Sequence, residues 1–169
     1  MDLRINMASS SLRRHMPVDI YGKCGAHHCS RKNESNCYRN MERHYKFYLS
    51  FENSICDDYV TEKFFNILSY NVIPVTFGGA NLTALGAPPR SHVDAISFGS
   101  VKKAVNYLRT LARDWFAQKF LSVDILNGKS GKSNIPPPLS PPNISAPLCP
   151  KAIQRPGHGV IDILSSANF

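Results

Sequence analysis

The chain has 169 residues, 43% of them hydrophobic and 10% aromatic, which is typical of one globular domain and excludes a wholly disordered protein. A net charge of +8 favours an anionic partner, but the lysines and arginines are scattered, which argues against a nucleic-acid groove binder. No run of about 18 apolar residues that would span a bilayer occurs, and the first residues lack the apolar centre of a signal peptide.

The N-terminal part of the chain shows little regular pattern. Residues 1–16 are interpreted as the remnant of a helix, because Leu12 and Met16 are about one helical turn apart among basic residues. A proline ends this segment, and Val18–Tyr21 has the apolar residues of a short buried strand. The polar stretch 23–43, rich in Asn and Cys, predicts a loop that cross-links or ligands hold in place.

Residues 45–113 carry the clearest secondary-structure signals. Apolar runs and helical stripes predict, in chain order, a strand at 45–51, a helix at 59–69, strands at 72–77 and 93–98, and a helix from 101 onward. Asp57 or Asp58 is the predicted cap of the first helix, and Ser100 is the predicted cap of the second. This alternation predicts the α/β class, with a parallel sheet and helices on its faces.

The composition changes from residue 120 onward. Eight of the chain's twelve prolines lie between Pro136 and Pro156, and aromatic residues are few. Such a segment buries too little apolar surface to offset its ordering entropy, so we predict that the tail, residues 120–169, is disordered. The sequence GKSGKS in this tail lacks the spacing of a phosphate-binding loop, so we do not predict one there.

Polar side chains are concentrated where the strand at 45–51 is followed by the helix at 59–69. Tyr59, Glu62 and Lys63 have the spacing i, i+3 and i+4, which places them on one face of the predicted first turn. The N–H groups and positive dipole end of such a turn suit a diphosphate, and open α/β sheets bind ligands beyond the carboxyl ends of their strands. The same spacing also fits a solvated first turn that has no ligand.

Four segments together resemble the donor-binding half of the α1,3-fucosyltransferases, glycosyltransferase family 10. They are VDIYGKCG, YKFYLSFENSICDDYVTEKFF, VIPVTFGGANLT and PPRSHVDAISF, and the similarity extends from residue 17 to residue 113. The resemblance implies an α/β, Rossmann-like donor domain at 17–119, which is one half of a GT-B glycosyltransferase. It further implies inverting transfer of fucose from GDP-fucose to a GlcNAc-containing glycan, in α1,3 linkage, during protein glycosylation in the Golgi lumen.

The resemblance also assigns donor-binding residues. By this likeness Lys63 offsets phosphate charge, Glu62 addresses donor hydroxyls or a developing oxocarbenium charge, and Tyr59 lines the pocket. Glu52 and Asn53 belong to the same pocket, where direct contact with the donor and support of the turn are both open readings. Two glycines after the third predicted strand fit either close approach of a ligand or a tight turn, and these are Gly78 and Gly79.

The chain departs from the family pattern at both ends. In the family an arginine before the VDIYG strand grips the donor phosphates, and Arg4 lies near that place but one residue out of register. The pattern also stops near Asp114. Inverting transfer needs a general base, which the family supplies from an N-terminal acceptor domain that we expect to be missing here, so we assign no catalytic residue. A catalytically inactive remnant that binds GDP is the alternative.

The resemblance implies GDP-fucose and a glycan acceptor as partners, with no nucleic acid. A GT-B enzyme does not depend on a metal or another cofactor, and Asp57-Asp58 lacks the D-x-D spacing of a metal motif. Full-length family members are type II membrane proteins of the Golgi. Membrane attachment is therefore expected only through a segment that is missing from this chain.

Cysteines and glycosylation sequons together indicate an oxidising compartment. The disulfide candidates, whose pairing the sequence does not decide, are Cys24, Cys29, Cys37 and Cys56. The N-glycosylation candidates are Asn33, Asn81 and Asn143. A small zinc module is the alternative, although the spacing matches no common zinc pattern; its ligands would be Cys24, Cys29, Cys37 and His27 or His28.

Overall fold

The structure, a computed structural model, describes residues 10–21, 25–29, 33–57 and 59–114, and the backbone of 161–165. The principal helices are α1 (Glu34–His44), α2 (Glu62–Ile67) and α3 (Val101–Arg113). The strands are β1 (Val18–Tyr21), β2 (Tyr45–Phe51), β3 (Ile73–Phe77), β4 (Val93–Asp94) and β5 (Ile161–Ser165). A short 3-10 turn, Ile96–Phe98, follows β4.

The strands form one sheet in the order β1-β5-β2-β3-β4. Strands β2, β3 and β4 are parallel, and near their carboxyl ends Phe51 lies beside Phe77 and Thr76 beside Asp94. This parallel arrangement with flanking helices confirms the predicted α/β, Rossmann-like class. Strand β5 runs antiparallel to both of its neighbours, β1 and β2.

The tail that we predicted to be disordered, residues 120–169, lies outside the described residues except for β5. At Ile161–Ser165 the structure differs from the expectation, because these five residues form a strand within the sheet. Their sequence, IDILS, is rich in β-branched and other apolar residues, which favour a strand. The proline-rich composition of the tail as a whole concealed this short signal.

Strand β2 is the centre of the fold because both of its faces carry buried side chains. Phe47, Leu49 and Phe51 belong to the core cluster that includes the apolar side of α3. Tyr48 faces the other way and packs with buried residues of α1. Each such side chain contributes about 1.5–3 kcal/mol of hydrophobic free energy when it is fully buried. Helices on both faces explain the nearly continuous apolar sequence of this strand.

Helix α3 is amphipathic, as its sequence predicts. Ser100 Oγ accepts a hydrogen bond from the Lys103 backbone N–H at 3.3 Å, so Ser100 is the N-cap and the predicted cap is confirmed. The helix buries one stripe of small and apolar side chains against the sheet, formed by Ala104, Val105, Leu108, Leu111 and Ala112.

The loop that we predicted over residues 23–43 is wrong in its second half, where Glu34–His44 forms α1. Tyr38 and Met41, about one turn apart, are only 5% and 0% exposed and pack against Tyr48. The rest of the helix surface is polar. Because the apolar stripe is this narrow, the segment as a whole is rich in Asn and Arg and has the composition of a loop. The prediction from sequence was wrong for this reason.

Two further predicted elements are shorter in the structure. The strand predicted at 93–98 ends at Asp94, because the Asp94 carboxylate accepts a hydrogen bond from the Ile96 N–H at 3.0 Å and the chain turns there. The helix predicted at 59–69 begins only at Glu62, and its N-cap is Thr61. The prediction that Asp57 or Asp58 caps this helix is therefore wrong.

The segment before β1 packs on the same core as α3. Leu12 and Met16 are each 3% exposed, and the Met16 N–H donates to the Leu12 carbonyl at 2.9 Å. The rest of the predicted remnant helix, residues 1–9, lies outside the described part of the chain. Within the described part, no helix is long and apolar enough to cross a membrane.

Cys29 and Cys37 form a disulfide that connects the segment after β1 to α1. Cys56 is disulfide-bonded as well, and Cys24 lies outside the described residues. Zinc binds thiolates, so Cys29 and Cys37 cannot serve as the ligands of the zinc module that we considered. The described residues also contain no group of three or more His, Cys, Asp or Glu that could hold a metal.

We predict that replacing both Cys29 and Cys37 by serine lowers the free energy of unfolding by about 2–3 kcal/mol. The disulfide closes a loop with a sequence separation of 8, and losing a cross-link of that size restores chain entropy to the unfolded state. Urea denaturation measures the change. Arg39→Ala, an exposed position on the same helix, is the control and should change stability by less than about 0.5 kcal/mol. Equal effects of the two variants would contradict the prediction.

Candidate functional site

The end of β2 is connected to the start of α2 through a buried carboxylate. Glu52 is only 4% exposed, and its Oε1 accepts the Thr61 backbone N–H at 2.8 Å. The Thr61 hydroxyl lies 3.1 Å from Oε1 and 2.9 Å from Oε2 of the same carboxylate. A buried carboxylate needs such partners to offset its lost hydration. Of the two readings open for Glu52, the structure therefore favours support of the turn.

Lys63 lies at the same end of β2. Its Nζ donates a hydrogen bond to the Phe51 carbonyl at 3.0 Å, and the side chain is half-buried. An ammonium has three N–H donors, so this contact fixes the position of the charge and leaves up to two donors for other acceptors. The cation is thus held at the carboxyl edge of the parallel strands, where a ligand of this fold class binds.

Tyr59 lies before α2 and not on it, so the prediction that Tyr59, Glu62 and Lys63 share one helical face is wrong. The structure nevertheless brings Tyr59 close to the other site candidates. Burial raises the pKa of Tyr59, the charges of Glu52 and Glu62 raise it further, and a side-chain hydrogen bond with Asn53 opposes them. The phenol therefore stays neutral and can donate a hydrogen bond. Asn53 and Glu62 are exposed beside it.

The two predicted glycines have different surroundings at the end of β3. A Cβ on Gly79 would lie 2.7 Å from the backbone carbon and oxygen of Cys56, closer than real Cβ atoms come. A Cβ on Gly78 would lie 3.3 Å from Cγ and 3.6 Å from Cβ of Glu52, which is a tight contact with a side chain and not with backbone. Gly79 therefore allows the loops after β2 and β3 to pack together. That contact accounts for this glycine without a ligand.

Helix α2 is fixed against the loop between β3 and β4. Phe64 is 1% exposed, packs with Leu82 and Ala87, and contacts the His92 ring edge-to-face at a centroid distance of 5.3 Å. Burial lowers the pKa of His92, so a neutral imidazole faces this aromatic side chain. The position of Lys63, next in sequence to Phe64, therefore depends on packing as well as on its own hydrogen bond.

Sequence reasoning missed three residues at this edge of the sheet. Thr61 is the partner of Glu52, and a Thr before the Glu-Lys pair was itself an N-cap signal. Asp94, in register with Thr76 of β3, places another carboxylate at the carboxyl end of β4, and burial raises its pKa. Ser50 is a buried hydroxyl without a hydrogen-bond partner among the described residues, which no sequence pattern signals.

The remaining candidates are glycosylation sequons or lie outside the described residues. Asn33 and Asn81 are both exposed, as a glycosylated asparagine must be, and the Asn81 side chain accepts the Ala84 N–H at 3.0 Å. Arg4 and Asn143 are outside the described part of the chain. The structure therefore brings together seven of the donor-site candidates, namely Glu52, Asn53, Tyr59, Glu62, Lys63, Gly78 and Gly79.

We predict that Glu52→Gln lowers the free energy of unfolding by about 1–3 kcal/mol, because a neutral amide replaces the charged acceptor of the Thr61 groups. Thr61→Val should also destabilise the fold, and the double variant should cost less than the sum of the two. Chemical denaturation measures all three. Glu62→Gln, at the exposed start of α2, is the control, and a Glu52→Gln protein as stable as this control would refute the proposed support of the turn.

We predict that Gly79→Ala destabilises the protein by about 1–3 kcal/mol, because the added methyl group requires the Cys56 backbone to move. Gly78→Ala is the matched control. It should cost less than Gly79→Ala, because its added methyl group meets the Glu52 Cγ at 3.3 Å and needs a shift of only a few tenths of an ångström, whereas the methyl group at residue 79 meets backbone at 2.7 Å. Denaturation midpoints compare the two proteins. If Gly78→Ala is the more damaging change, the packing role assigned to Gly79 is wrong.

The match to a known family covers most of the chain. A family model described as glycosyltransferase family 10 (fucosyltransferase) C-term matches residues 3–121. Alpha-(1,3)-fucosyltransferase C of Drosophila melanogaster is 45% identical over 106 residues, which are 63% of this chain and 24% of that protein. Glycoprotein 3-alpha-L-fucosyltransferase A of the same organism is 44% identical over 105 residues, which are 61% of this chain and 21% of that protein.

Alpha-(1,3)-fucosyltransferase fut-1 of Caenorhabditis elegans is 40% identical over 100 residues, which are 59% of this chain and 23% of that protein. The chain thus spans about a quarter of the length of the curated relatives that it matches. It belongs to glycosyltransferase family 10, the fucosyltransferases, and corresponds to the C-terminal domain of that family.

Proposed function

We propose that this chain is the donor-binding part of an enzyme that transfers fucose from GDP-fucose to a GlcNAc-containing glycan, in α1,3 linkage and with inversion. Membership of the fucosyltransferase family supports this proposal, as do relatives named α1,3-fucosyltransferases. The transfer is proposed for a whole protein, since the chain spans about a quarter of its relatives. Binding of the donor is proposed for the chain itself. The proposed location is the lumen of the Golgi.

The observation that carries the donor site is the position of Lys63. Its ammonium is fixed on the Phe51 carbonyl at the carboxyl end of β2. From there up to two N–H donors can reach the oxygens of a diphosphate, and charge-assisted hydrogen bonds of this kind are the stronger ones. The Glu52 carboxylate accepts its hydrogen bonds from Thr61, and the Lys63 ammonium donates to the Phe51 carbonyl and not to Glu52.

The neighbouring residues suit the sugar of the donor. Glu62 is exposed at the first position of α2, so its carboxylate is available to accept hydrogen bonds from donor hydroxyls. The same negative charge would stabilise an oxocarbenium-like transition state at the anomeric carbon. Tyr59 offers a neutral phenol and an aromatic wall beside it. We therefore keep the three roles from the family resemblance and add a positioning role for Glu52.

The proposed transfer needs one group beyond this site. The acceptor oxygen bonds to the anomeric carbon of fucose while the bond from that carbon to the β-phosphate oxygen breaks. GDP leaves with the electron pair, and the acceptor proton passes to a general base. We assign this base to another part of the full-length protein. The chain alone should therefore bind GDP without turning over GDP-fucose.

We predict that Lys63→Ala weakens GDP binding by roughly 10- to 100-fold, the loss expected for one hydrogen bond to a charged group. Isothermal calorimetry of GDP against both proteins measures the change. Lys103→Ala, which removes an exposed lysine from α3, is the matched control for net charge and should leave the affinity unchanged. A denaturation curve of each variant shows whether a weaker affinity reflects loss of the fold.

Three outcomes would contradict parts of the proposal. Equal affinity of wild type and Lys63→Ala would remove Lys63 from the site. No binding of GDP by the folded wild-type chain would refute the donor-binding role. Release of GDP from GDP-fucose by the wild-type chain would contradict the assignment of the base to another part of the protein.

A further inference from the structure

Strands β1 and β2 run parallel to each other but are not neighbours. Strand β5 lies between them and is antiparallel to both. Leu164 is in register with Val18 on one side and with Phe47 on the other. We call the space between β1 and β2 the β1–β2 gap. It is one strand wide, and each of its two edges presents backbone N–H and C=O groups that need partners.

One face of the β1–β2 gap is crossed by side chains of the flanking strands. The Tyr45 hydroxyl donates to the Asp19 carboxylate at 2.9 Å and lies 3.1 Å from the Tyr21 hydroxyl. Tyr45 belongs to β2, whereas Asp19 and Tyr21 belong to β1. These hydrogen bonds therefore connect the two strands without using any residue of β5.

The other face of the gap is covered by α3, which contacts both sides of it. Arg109 Nη2 donates to the carbonyl of His15, just before β1, at 2.7 Å. Lys46 Nζ, on β2, donates to the carbonyl of Ala112 at 2.6 Å. The apolar cluster beneath α3 contains Met16 from one side of the gap and Phe47 from the other. Contacts that use no residue of β5 therefore connect the two sides of the gap on both of its faces.

The occupant comes from a part of the chain that the family match does not include. Residues 3–121 match the family, whereas β5 is Ile161–Ser165. Donor-site chemistry and family resemblance therefore give no reason for this strand. An open gap between two strands does give one, since its edges can pair with an extended segment through main-chain hydrogen bonds, and a segment with β-branched residues suits the strand conformation.

We propose that the β1–β2 gap is a strand-binding site for an extended peptide, and that its occupant is Ile161–Ser165 of the same chain. The tail then serves to complete the sheet. A long connection is compatible with this role, because the entropy of loop closure grows only slowly with length. A peptide of the same sequence added in solution would compete with a tethered strand whose effective concentration is on the order of 1 mM. The proposal does not depend on the donor site.

Engineered disulfides in the 169-residue chain test the position and the direction of the strand. Val18→Cys with Leu164→Cys places the two cysteines in register, so a cross-link should form. Val18→Cys with Ile161→Cys is the matched control and should not cross-link, because Ile161 is in register with Tyr21. Peptide mapping by mass spectrometry identifies the pair against the native cysteines.

A mixture of isotope-labelled and unlabelled chains separates a cross-link within one chain from one between chains. A cross-link only within chains supports the proposal. A cross-link between chains would show that a second copy supplies the strand and would overturn the assignment of the occupant. Equal cross-linking of the test pair and the control pair, or none in either, would overturn the site itself.

An Ile163→Pro variant of the 169-residue chain tests whether the gap accepts a peptide. Proline cannot donate to a central ladder, so this change should release β5. The amides of Tyr45–Leu49 that point toward β5 should then exchange at least about 10-fold faster than in wild type, while those that point toward β3 and those of α3 stay protected. Ser133→Pro, elsewhere in the tail, should leave exchange unchanged. Unchanged exchange at Tyr45–Leu49 in the Ile163→Pro chain would overturn the proposal.

A labelled peptide with the sequence VIDILSS should bind the Ile163→Pro chain at least about 10-fold more tightly than wild type, where the tethered strand competes. A scrambled peptide of the same composition is the control. Equal affinity of the Ile163→Pro chain for VIDILSS and for the scrambled peptide would overturn a strand site that depends on sequence. Equal affinity of VIDILSS for the variant and the wild-type chain would overturn it as well. Because the cross-linking test keeps Ile163, the proposal stays testable if the proline variant fails to fold.

Discussion

The candidate donor site depends on one buried interaction, the hydrogen bonding of the Glu52 carboxylate to Thr61. A charge that is 4% exposed cannot remain there without donors, and Thr61 supplies both a backbone N–H and a hydroxyl. This contact determines where α2 begins, since Thr61 is its N-cap. It thereby places Glu62 and Lys63 just beyond the end of β2. Among the polar residues of this junction, Glu52 thus stabilises the turn, whereas the others face outward.

The short length of α2 gives this carboxylate its importance. A helix that spans only Glu62–Ile67 has few internal hydrogen bonds and a weak propensity to form alone. External contacts must therefore hold it, and the structure supplies three kinds. Glu52 holds its start, Phe64 packs it against His92, and Lys63 bonds to the Phe51 carbonyl. A cation held in this way loses little additional entropy when it binds an anion, which favours affinity.

Elements with a clear local pattern of apolar residues could be predicted from the sequence. Elements whose position depends on a contact between residues distant in sequence could not. The strand at 45–51 was predicted from its nearly continuous run of apolar residues. The Ser100-capped helix was predicted from apolar residues that recur at helical spacing. Helix α1 was missed because only two of its side chains, Tyr38 and Met41, are buried, and they lie within a polar stretch of sequence. The start of α2 was misplaced because two adjacent aspartates gave a local cap signal, whereas the actual partner of Thr61 is nine residues away in sequence.

The same limit explains what could be predicted of the site and of the sheet. The candidate site residues were proposed from resemblance and from their concentration at one strand end. The different contacts of Glu52 and Lys63 became visible only in three dimensions. β5 was missed because a strand of five residues in a proline-rich tail has no partner in the local sequence. Its partners are β1 and β2, which the chain reaches only after folding.

Strand β2 links the two regions of interest. Its residues Tyr45–Leu49 pair with β5, and Phe51, two residues further on, holds Lys63 through its carbonyl. A strand paired on both sides is more rigid than an edge strand, because its backbone groups are all fixed by neighbours. Pairing in the β1–β2 gap therefore restrains the strand whose end carries the cation. Occupation of the gap and the geometry of the proposed donor site are for this reason coupled through one backbone, although they use different residues.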